Sequence, residues 1–496
     1  MIVLLGLALV DFVAHMLVSG NYGYFRDELY YIEAGRHLAF GYVDFPPLIA
    51  LVAKFLDLVT GDALWAIHVV PALATALIVL ITGLMARELG GGRFAQALAA
   101  LASLAAVTFL ATGSLFSMDA LDELWWVLAS YVLILILKRN DSRLWLLFGL
   151  IAGVGLTTKV TMLFFGLAVV LGLLLTPARR QFGIGWIWLG GVIAIAFLLP
   201  YVLWNMANGW PTLEFFGNYE GSGGSLEFLL GQIPGMNPFT LPLSLAGLYF
   251  YLGNQRGRSY RALGWTFVVL VLVLALLGAK PYTLAPAYPM LYAGGSIIVG
   301  QLSGRMGRLL KPVYVVLLLI SAILLAPLAM PILPPSTFTA AYGSLSGTGD
   351  TAAGQDTQGA FPQYLGDRFG WENMTRTVAS VYDDLPTEER ARACIFTSNY
   401  GEASALNFLG GRYGLPPAIS GHNNYYLWGP DGCAGEVMIT VGVPKGDVEQ
   451  IYTGVERAAT ITCRYCVPEE GDVAVYVASR PRFPIRELWP QAKHYE

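Results

Sequence analysis

The sequence predicts a mostly α-helical, polytopic membrane protein with about eleven transmembrane helices and a C-terminal soluble α/β domain. Three observations predict it. The chain is 55% hydrophobic and 13% charged, with a mean hydropathy of +0.57, whereas soluble proteins carry about 25% charged residues. The apolar residues gather in long runs before residue 334, and the stretch 334–496 has ordinary soluble composition. All four cysteines, Cys394, Cys433, Cys463 and Cys466, lie in that later part. The expected division is a membrane domain over 1–335, a linker over 336–360 and an extracytoplasmic α/β domain over 361–496. A net charge of −4 with no basic tail argues against nucleic acid as a partner.

The first apolar run, MIVLLGLALVDFVAHMLVSG, has no basic n-region, and Asp11 and His15 interrupt its core. It therefore reads as a span rather than a signal peptide. A run of roughly 20 apolar residues crosses a bilayer. The candidate spans are 2–20, 63–86, 94–112, 120–137, 144–158, 160–176, 184–204, 236–253, 262–279, 283–300 and 313–333. Asp11, His15 and His68 fall inside spans, face the bundle interior and receive no catalytic role.

Orientation is read from Lys and Arg in the short loops. Alternate loops carry Arg87 and Arg93; Lys138, Arg139 and Arg143; Arg179 and Arg180; Arg256, Arg258 and Arg261; and Arg305, Arg308 and Lys311. These are expected to face the cytoplasm, which puts the loop 21–47 and the C-terminal domain outside. The outer loops hold few cations: Arg26, Arg36, Lys54, Lys159 and Lys280. They are acidic, with Asp27, Glu28, Glu33, Asp44, Asp57, Asp62, Asp119, Asp122, Glu123, Glu214, Glu220 and Glu227. The localisation expected is the cytoplasmic (inner) membrane, multi-pass.

The loop NYGYFRDELYYIEAGRHLAFGYVDFPP is the densest stretch of polar groups between spans. A short amphipathic helix is predicted over 27–38. The prolines Pro46 and Pro47 open a second helix over 48–58, whose apolar run suits the headgroup plane. After the membrane part, 334–358 is rich in Pro, Ser, Thr, Gly and Ala and reads as a linker. A helix is predicted over 371–385 and another over 402–409. Strands are predicted over 393–397, 436–441 and 473–477, with a Gly/Pro/Asn loop over 413–430. Four cysteines outside the cell suggest up to two disulfides, in any of three pairings. Cys463-Arg-Tyr-Cys466 also has metal or redox spacing, though no second pair completes a zinc site.

Several residues carry chemistry. Asp27 and Glu28 either open a helix, where acids complement the dipole, or supply a general base at a membrane surface. Asp44 is either a turn residue or a second acid. Asp119, Asp122 and Glu123 share helix faces in SMDALDELWW and either cap the helix, orient a hydroxyl or bind a metal. A divalent metal is thus an open question, with those three as its candidate ligands. Lys159 and Lys280 are isolated cations at span boundaries; they either snorkel or hold a lipid phosphate, with Tyr282 beside Lys280. Arg26 and Arg36 are the next candidates for that phosphate.

The segments FRDELYYIEAGRHLAFGYVDFPPLIAL, LMARELGGGRFAQALA and KPYTLAPAYP resemble bacterial membrane glycosyltransferases of the GT-C superfamily. The clan they resemble holds the protein O-mannosyltransferases and the lipid A aminoarabinose transferase. In the C-terminal domain GWENM, NYGEASAL and YGLPPAISGHNNYYLWGP resemble a bacterial subgroup. The resemblance implies a GT-C fold, a polyprenyl-phosphate-linked sugar as donor, and inverting transfer to a hydroxyl acceptor of the cell envelope, at the outer face of the membrane. It makes Asp27 the leading base, with Glu28 as support, and puts Asp44 where relatives keep a second acid. Phe45 stands where the aminoarabinose transferase has a phosphate-holding lysine, and an arginine that relatives carry near His68 is missing. The alternative from another class is a lipid or glycan transporter or flippase, for which polar residues or broken helices near the midplane would argue.

Overall fold

The computed structural model describes residues 1–61, 63–218, 224–346, 361–430 and 432–496. Asp62, Glu220 and the linker part 347–360 lie outside the described residues. The chain is mostly helical, as its apolar runs require. The N-terminal part comprises α1 (Ile2–Val18), α2 (Arg26–Arg36), α3 (Leu48–Thr60), α4 (Leu64–Glu88), α5 (Arg93–Leu104) and α6 (Val107–Thr112). Next come α7 (Met118–Arg139), α8 (Leu144–Leu156), α9 (Met162–Leu174), α10 (Gly185–Ala207), α11 (Pro211–Asn218) and α12 (Ser225–Gly235). The bundle closes with α13 (Leu241–Leu252), α14 (Arg261–Leu276), α15 (Tyr288–Gln301) and α16 (Gly304–Ala329).

Among the described residues, five helices are long and apolar enough to cross a membrane by themselves: α4, α7, α10, Arg258–Leu276 and α16. A sixth qualifies if α9 is joined to the turn Pro177–Gly183, from which it bends by 110°. Other expected spans are shorter apolar helices: Ile2–Val18, Arg93–Leu104, Leu144–Leu156 and Pro238–Leu252. The run expected over 94–112 is broken at Ala105 and Ala106 into α5 and α6. The short helices α11 and α12 were not foreseen between the seventh and eighth runs.

Burial separates the roles of the long helices. The most apolar window of α7 is 78% buried, so α7 runs through the centre of the bundle, while that of α10 is only 17% buried and turns outward. A helix apolar on all sides is stable in either place when its outer side meets lipid. Small residues let neighbours approach closely. A Cβ at Gly149 would collide with the Gly190 backbone, joining α8 to α10, and one at Gly247 with the Leu291 carbonyl, joining α13 to α15. Asp11, His15 and His68 are buried as expected. In α1 and α4, Thr75 donates to Asp11 (2.9 Å) and His15 Nδ1 lies 2.8 Å from the Asp11 carbonyl, so this buried polar group is internally paired.

The segment expected to begin the linker is instead helical, α17 (Pro335–Ser346). The C-terminal α/β domain has helices α18 (Gln363–Gly366), α19 (Trp371–Asp383), α20 (Thr387–Arg390), α21 (Tyr400–Leu409), α22 (Asn424–Trp428), α23 (Lys445–Ile451) and α24 (Ile485–Ala492). Its strands are β1 (Ala393–Thr397), β2 (Ala418–Ser420), β3 (Val437–Val441), β4 (Tyr452–Thr462) and β5 (Asp472–Pro481). They form one sheet in the order β2-β1-β3-β5-β4. The pairs β1–β2 and β1–β3 are parallel, and β3–β5 and β4–β5 are antiparallel. Strands β2 and β4 were not expected, and β2 with α22 lies in what reads as a loop over 413–430. The cysteines pair as Cys394–Cys433 and Cys463–Cys466, so the CxxC spacing is taken up by a disulfide.

Candidate active site

The site is built on α2, the helix predicted in the polar loop. Its first turn is fixed by a carboxylate: Glu28 accepts from the Phe25 amide (2.9 Å), the reciprocal half of a capping arrangement. Glu28 does more than cap. It is fully buried, and its other oxygen accepts from the Phe116 amide (2.8 Å) and contacts His68 Nε2 (2.8 Å). Burial alone would raise its pKa, but His68, Arg368 and the Phe116 amide outweigh it and hold Glu28 below the usual glutamate range. Glu28 thus has no oxygen turned to solvent and ties α2 to α4 and to the loop before α7.

Asp27, one residue earlier, is placed differently. About a quarter of its side chain is exposed (23%). The Tyr400 hydroxyl donates to it at 2.7 Å, and Arg26 lies 3.7 Å away. Burial raises its pKa; Arg26 and Tyr400 oppose, Asp119 and Glu28 add to the rise, and the net direction is upward. Asp44 accepts from the Tyr30 hydroxyl (3.1 Å) and is pushed up to about 7, by burial first and then by the charge of Asp27. The buried Tyr31 hydroxyl is held well above the usual phenol value by burial first and then by the charges of Asp27, Asp119 and Asp44.

Beside Arg26, the cluster holds a second cation, Lys159, in the loop between α8 and α9. It pairs with Asp119 at the start of α7, and its Nζ lies 4.9 Å from the Tyr282 ring centroid. Lys159 is therefore not the isolated cation expected. Burial would lower its pKa, and Asp119, Tyr282 and Asp122 more than compensate. Lys280 precedes the tight turn Pro281–Ala287, which carries Tyr282 under Lys159, so the Lys-Pro-Tyr segment borders the same cluster. The candidate metal ligands are not brought together. Asp119 takes Lys159, Asp122 accepts from Thr161 (2.6 Å) and Glu123 accepts from Thr112 (2.8 Å). Arg36 is also elsewhere, paired with Glu33 (3.2 Å) and lying over Phe408.

The residues that sequence reasoning missed come from the C-terminal domain. Tyr400 stacks on Tyr30 (4.5 Å between centroids) as well as bonding Asp27. Asn424 accepts from the Val43 amide (2.6 Å), and its own amide donates to Tyr30 Oη (3.1 Å). Asp367 pairs with Arg26 at 3.4 Å. Arg368 is 2% exposed and reaches the carbonyl of Ser114 (2.6 Å), beside the loop that donates to Glu28. A Cβ at Gly401 would collide with the stem of Arg26, so the glycine of NYGEASAL makes room for the α2–α21 contact. The NYGEASAL and HNNYYLWGP segments did signal importance, but not their partners.

Residues 44–204 match the family model described as dolichyl-phosphate-mannose-protein mannosyltransferase. No curated protein sequence matches the chain. Among solved structures, ArnT from Cupriavidus metallidurans bound to undecaprenyl phosphate is similar with a TM-score of 0.60 at 14% identity, over 96% of this chain and 97% of that one. The same protein in the apo state gives 0.61 at 16% identity, over the same 96% and 97%. The oligosaccharyltransferase of Archaeoglobus fulgidus tethered to an acceptor peptide gives 0.50 at 13% identity, over 83% of this chain and 64% of that one.

Proposed function

We propose, on the premise that this chain carries the GT-C fold of those membrane transferases, that it moves a sugar from a polyprenyl-phosphate-linked donor to a hydroxyl acceptor. We place the reaction at the outer face of the cytoplasmic membrane, with residues 1–335 as the transferase domain and 361–496 as an outer domain that completes the site. One observation carries the reading. Asp27, a partly exposed carboxylate of raised pKa, stands in a cluster that also holds the Lys159 ammonium.

The chemistry rests on that cluster. Asp27 takes the proton of the acceptor hydroxyl as its oxygen attacks the anomeric carbon. The bond from that carbon to the phosphate oxygen breaks, its electron pair passes to the lipid phosphate, and the anomeric centre inverts. The leaving phosphate is already a weak base and needs cations rather than an acid. Lys159, which lies over the Tyr282 ring, and Lys280, two residues before that tyrosine, are the groups suited to it. Helices of the bundle keep the lipid phosphate and the acceptor at one depth, which supplies the proximity term. The partners are then the donor lipid, the bilayer and an acceptor of the cell envelope.

Asp27→Asn is the test. A positioned general base contributes about 10²–10⁴-fold, so purified Asp27→Asn protein should lose turnover by that factor while keeping its elution profile and helicity. Transfer is read by mass spectrometry, from a panel of undecaprenyl-phosphate sugars to envelope lipids and glycans. Near-parental turnover would remove Asp27 as base. Glu28→Gln should instead damage folding as much as rate, because Glu28 is enclosed.

A further inference from the structure

We propose that His422, His494 and Glu496 form a binding site for a zinc-class divalent cation, beside a cavity that His422, Glu496 and Tyr400 line. Ligand atoms of the three side chains lie within 4.8 Å of one another. Two imidazoles and a carboxylate are the donor set that borderline cations prefer, in sites with three protein ligands and a fourth position open. Neither histidine belongs to the transfer cluster, and Asp119, Asp122 and Glu123 take no part.

The backbone builds this arrangement. His422 and His494 pair as an isolated parallel bridge. The His494 amide donates to the Gly421 carbonyl (3.1 Å) and the Asn423 amide to the His494 carbonyl (3.0 Å). The Asn423 side chain receives the Glu496 amide (3.3 Å) and donates to the Glu496 carbonyl (3.2 Å). A Cβ at Gly421 would collide with the Ala492 carbonyl, so the two segments close only over glycine. The imidazole centroids end 4.6 Å apart.

The hydrogen bonds also fit a metal. His494 Nδ1 lies 3.0 Å from the Ala492 carbonyl, and His422 Nε2 lies 3.2 Å from the Glu496 carbonyl. Each ring can therefore donate through one nitrogen and keep the lone pair of the other, as metal-bound histidines do. His422 is 7% exposed, and its Nδ1 has no hydrogen-bond partner among the described residues. A buried polar atom of that kind calls for a partner. The fourth position would open on a cavity of about 370 Å³ that Asn399, Tyr400 and Glu470 also line.

Such an ion would staple the segment 492–496 to the loop after β2. That segment already reaches the membrane half, through Lys493 to Glu214 (2.6 Å) and through the Asn218 side chain to the Tyr495 carbonyl (2.9 Å). The loop packs on the site, with the His422 ring 4.9 Å from that of Tyr400. The cation would thus hold Tyr400, and through it Asp27, from behind.

The test uses full-length protein in detergent, stripped with chelator and titrated with Zn²⁺ calorimetrically, then with Co²⁺ under visible absorption. We expect a single equivalent of Zn²⁺ per chain and the intense d–d bands of four-coordinate Co²⁺. His422 is buried, so the variants are His494→Ala and Glu496→Gln, which lie nearer the surface. Each should weaken Zn²⁺ by at least the roughly 100-fold that loss of an outer partner can cost. Absence of stoichiometric binding, or parental affinity in both variants, would overturn the site. The readout needs no donor lipid, so it stands or falls apart from the transfer activity.

Discussion

At the residue scale, the bond from Tyr400 to Asp27 is the contact with the plainest consequence. It stabilises the carboxylate form and so opposes the burial that raises the Asp27 pKa. Removing it in Tyr400→Phe should move that pKa further up. A base works only when deprotonated, so the acid limb of kcat/KM should shift to higher pH. Hydrogen bonds to charged groups are worth about 1.5–3 kcal/mol, which sets a loss of about 10–100-fold at neutral pH. Rate at pH 6 to 9 for Tyr400→Phe and the parent checks this, and an unshifted limb would separate Tyr400 from Asp27. The sequence made Asp27 visible because acids, arginines and aromatics crowd one loop. It could not make Tyr400 visible, because a tyrosine 373 positions away shows no pattern that names its partner. Glu28 shows the same limit: its enclosure depends on His68, Phe116 and Arg368, none of them local.

At the scale of elements, the loop between α8 and α9 brings Lys159 to the first turn of α7. Lys159→Met would remove the proposed phosphate contact and also strand the Asp119 carboxylate, so the single variant cannot tell the two effects apart. The double variant Lys159→Met with Asp119→Asn can. If Lys159 serves the phosphate, the double variant stays as poor in donor-lipid binding as Lys159→Met alone, roughly tenfold or more below the parent, since charge-assisted contacts are about twice as strong as neutral ones. If Lys159 only neutralises Asp119, the double variant recovers. Donor-lipid binding to the purified variants decides. Elements were legible where their period was strong. The helices α2 and α3 and the strands β1 and β3 lie close to their expected ranges, and β5 runs on to Pro481, past its expected end at 477. Strand β2 is three residues long and carries too little pattern. Strand β4 is a largely exposed edge strand with Glu456 and Arg457 in its middle, so it reads as a loop. The break between α5 and α6 falls in an unbroken apolar run, where hydropathy gives no sign of it.

For the whole molecule, the two halves meet over buried acids. Asp367 is pushed up to about 6, by burial first, with Arg26 opposing and Asp27 and Glu469 adding. Glu470 is raised in the same direction by burial and by Asp367, and it accepts from Asn399 (3.2 Å). Glu402 faces Glu470 and is raised as well. A carboxyl whose folded pKa lies above its unfolded value of 3.8 keeps its proton longer when folded. Its contribution is therefore complete below pH 3.8 and lost as pH rises through about 6. The protein should melt at a higher temperature at pH 5 than at pH 8. Glu470→Gln keeps the Asn399 bond and removes one charge, and should narrow that gap by roughly 2–4 °C. Thermal unfolding of both proteins in one detergent checks it; an equal gap would mean that this junction does not limit stability. Composition announced two parts of different character. It did not announce that they share a site, because the residues that join them, Arg26, Asp367, Arg368 and Tyr400, are ordinary surface types in any window.

The reach of Arg368 to Ser114 and of Tyr400 to Asp27 also sets a timetable. A ribosome makes the loop 21–47 more than 300 residues before it makes the groups that lock that loop in place. Through most of synthesis Asp27 lacks its tyrosine, and Arg26 lacks Asp367. A nascent chain halted before α21 has its membrane helices but lacks the tyrosine that bonds Asp27. The cluster around α2 is thus completed late in the protein's own manufacture, after the C-terminal domain has folded down onto α2.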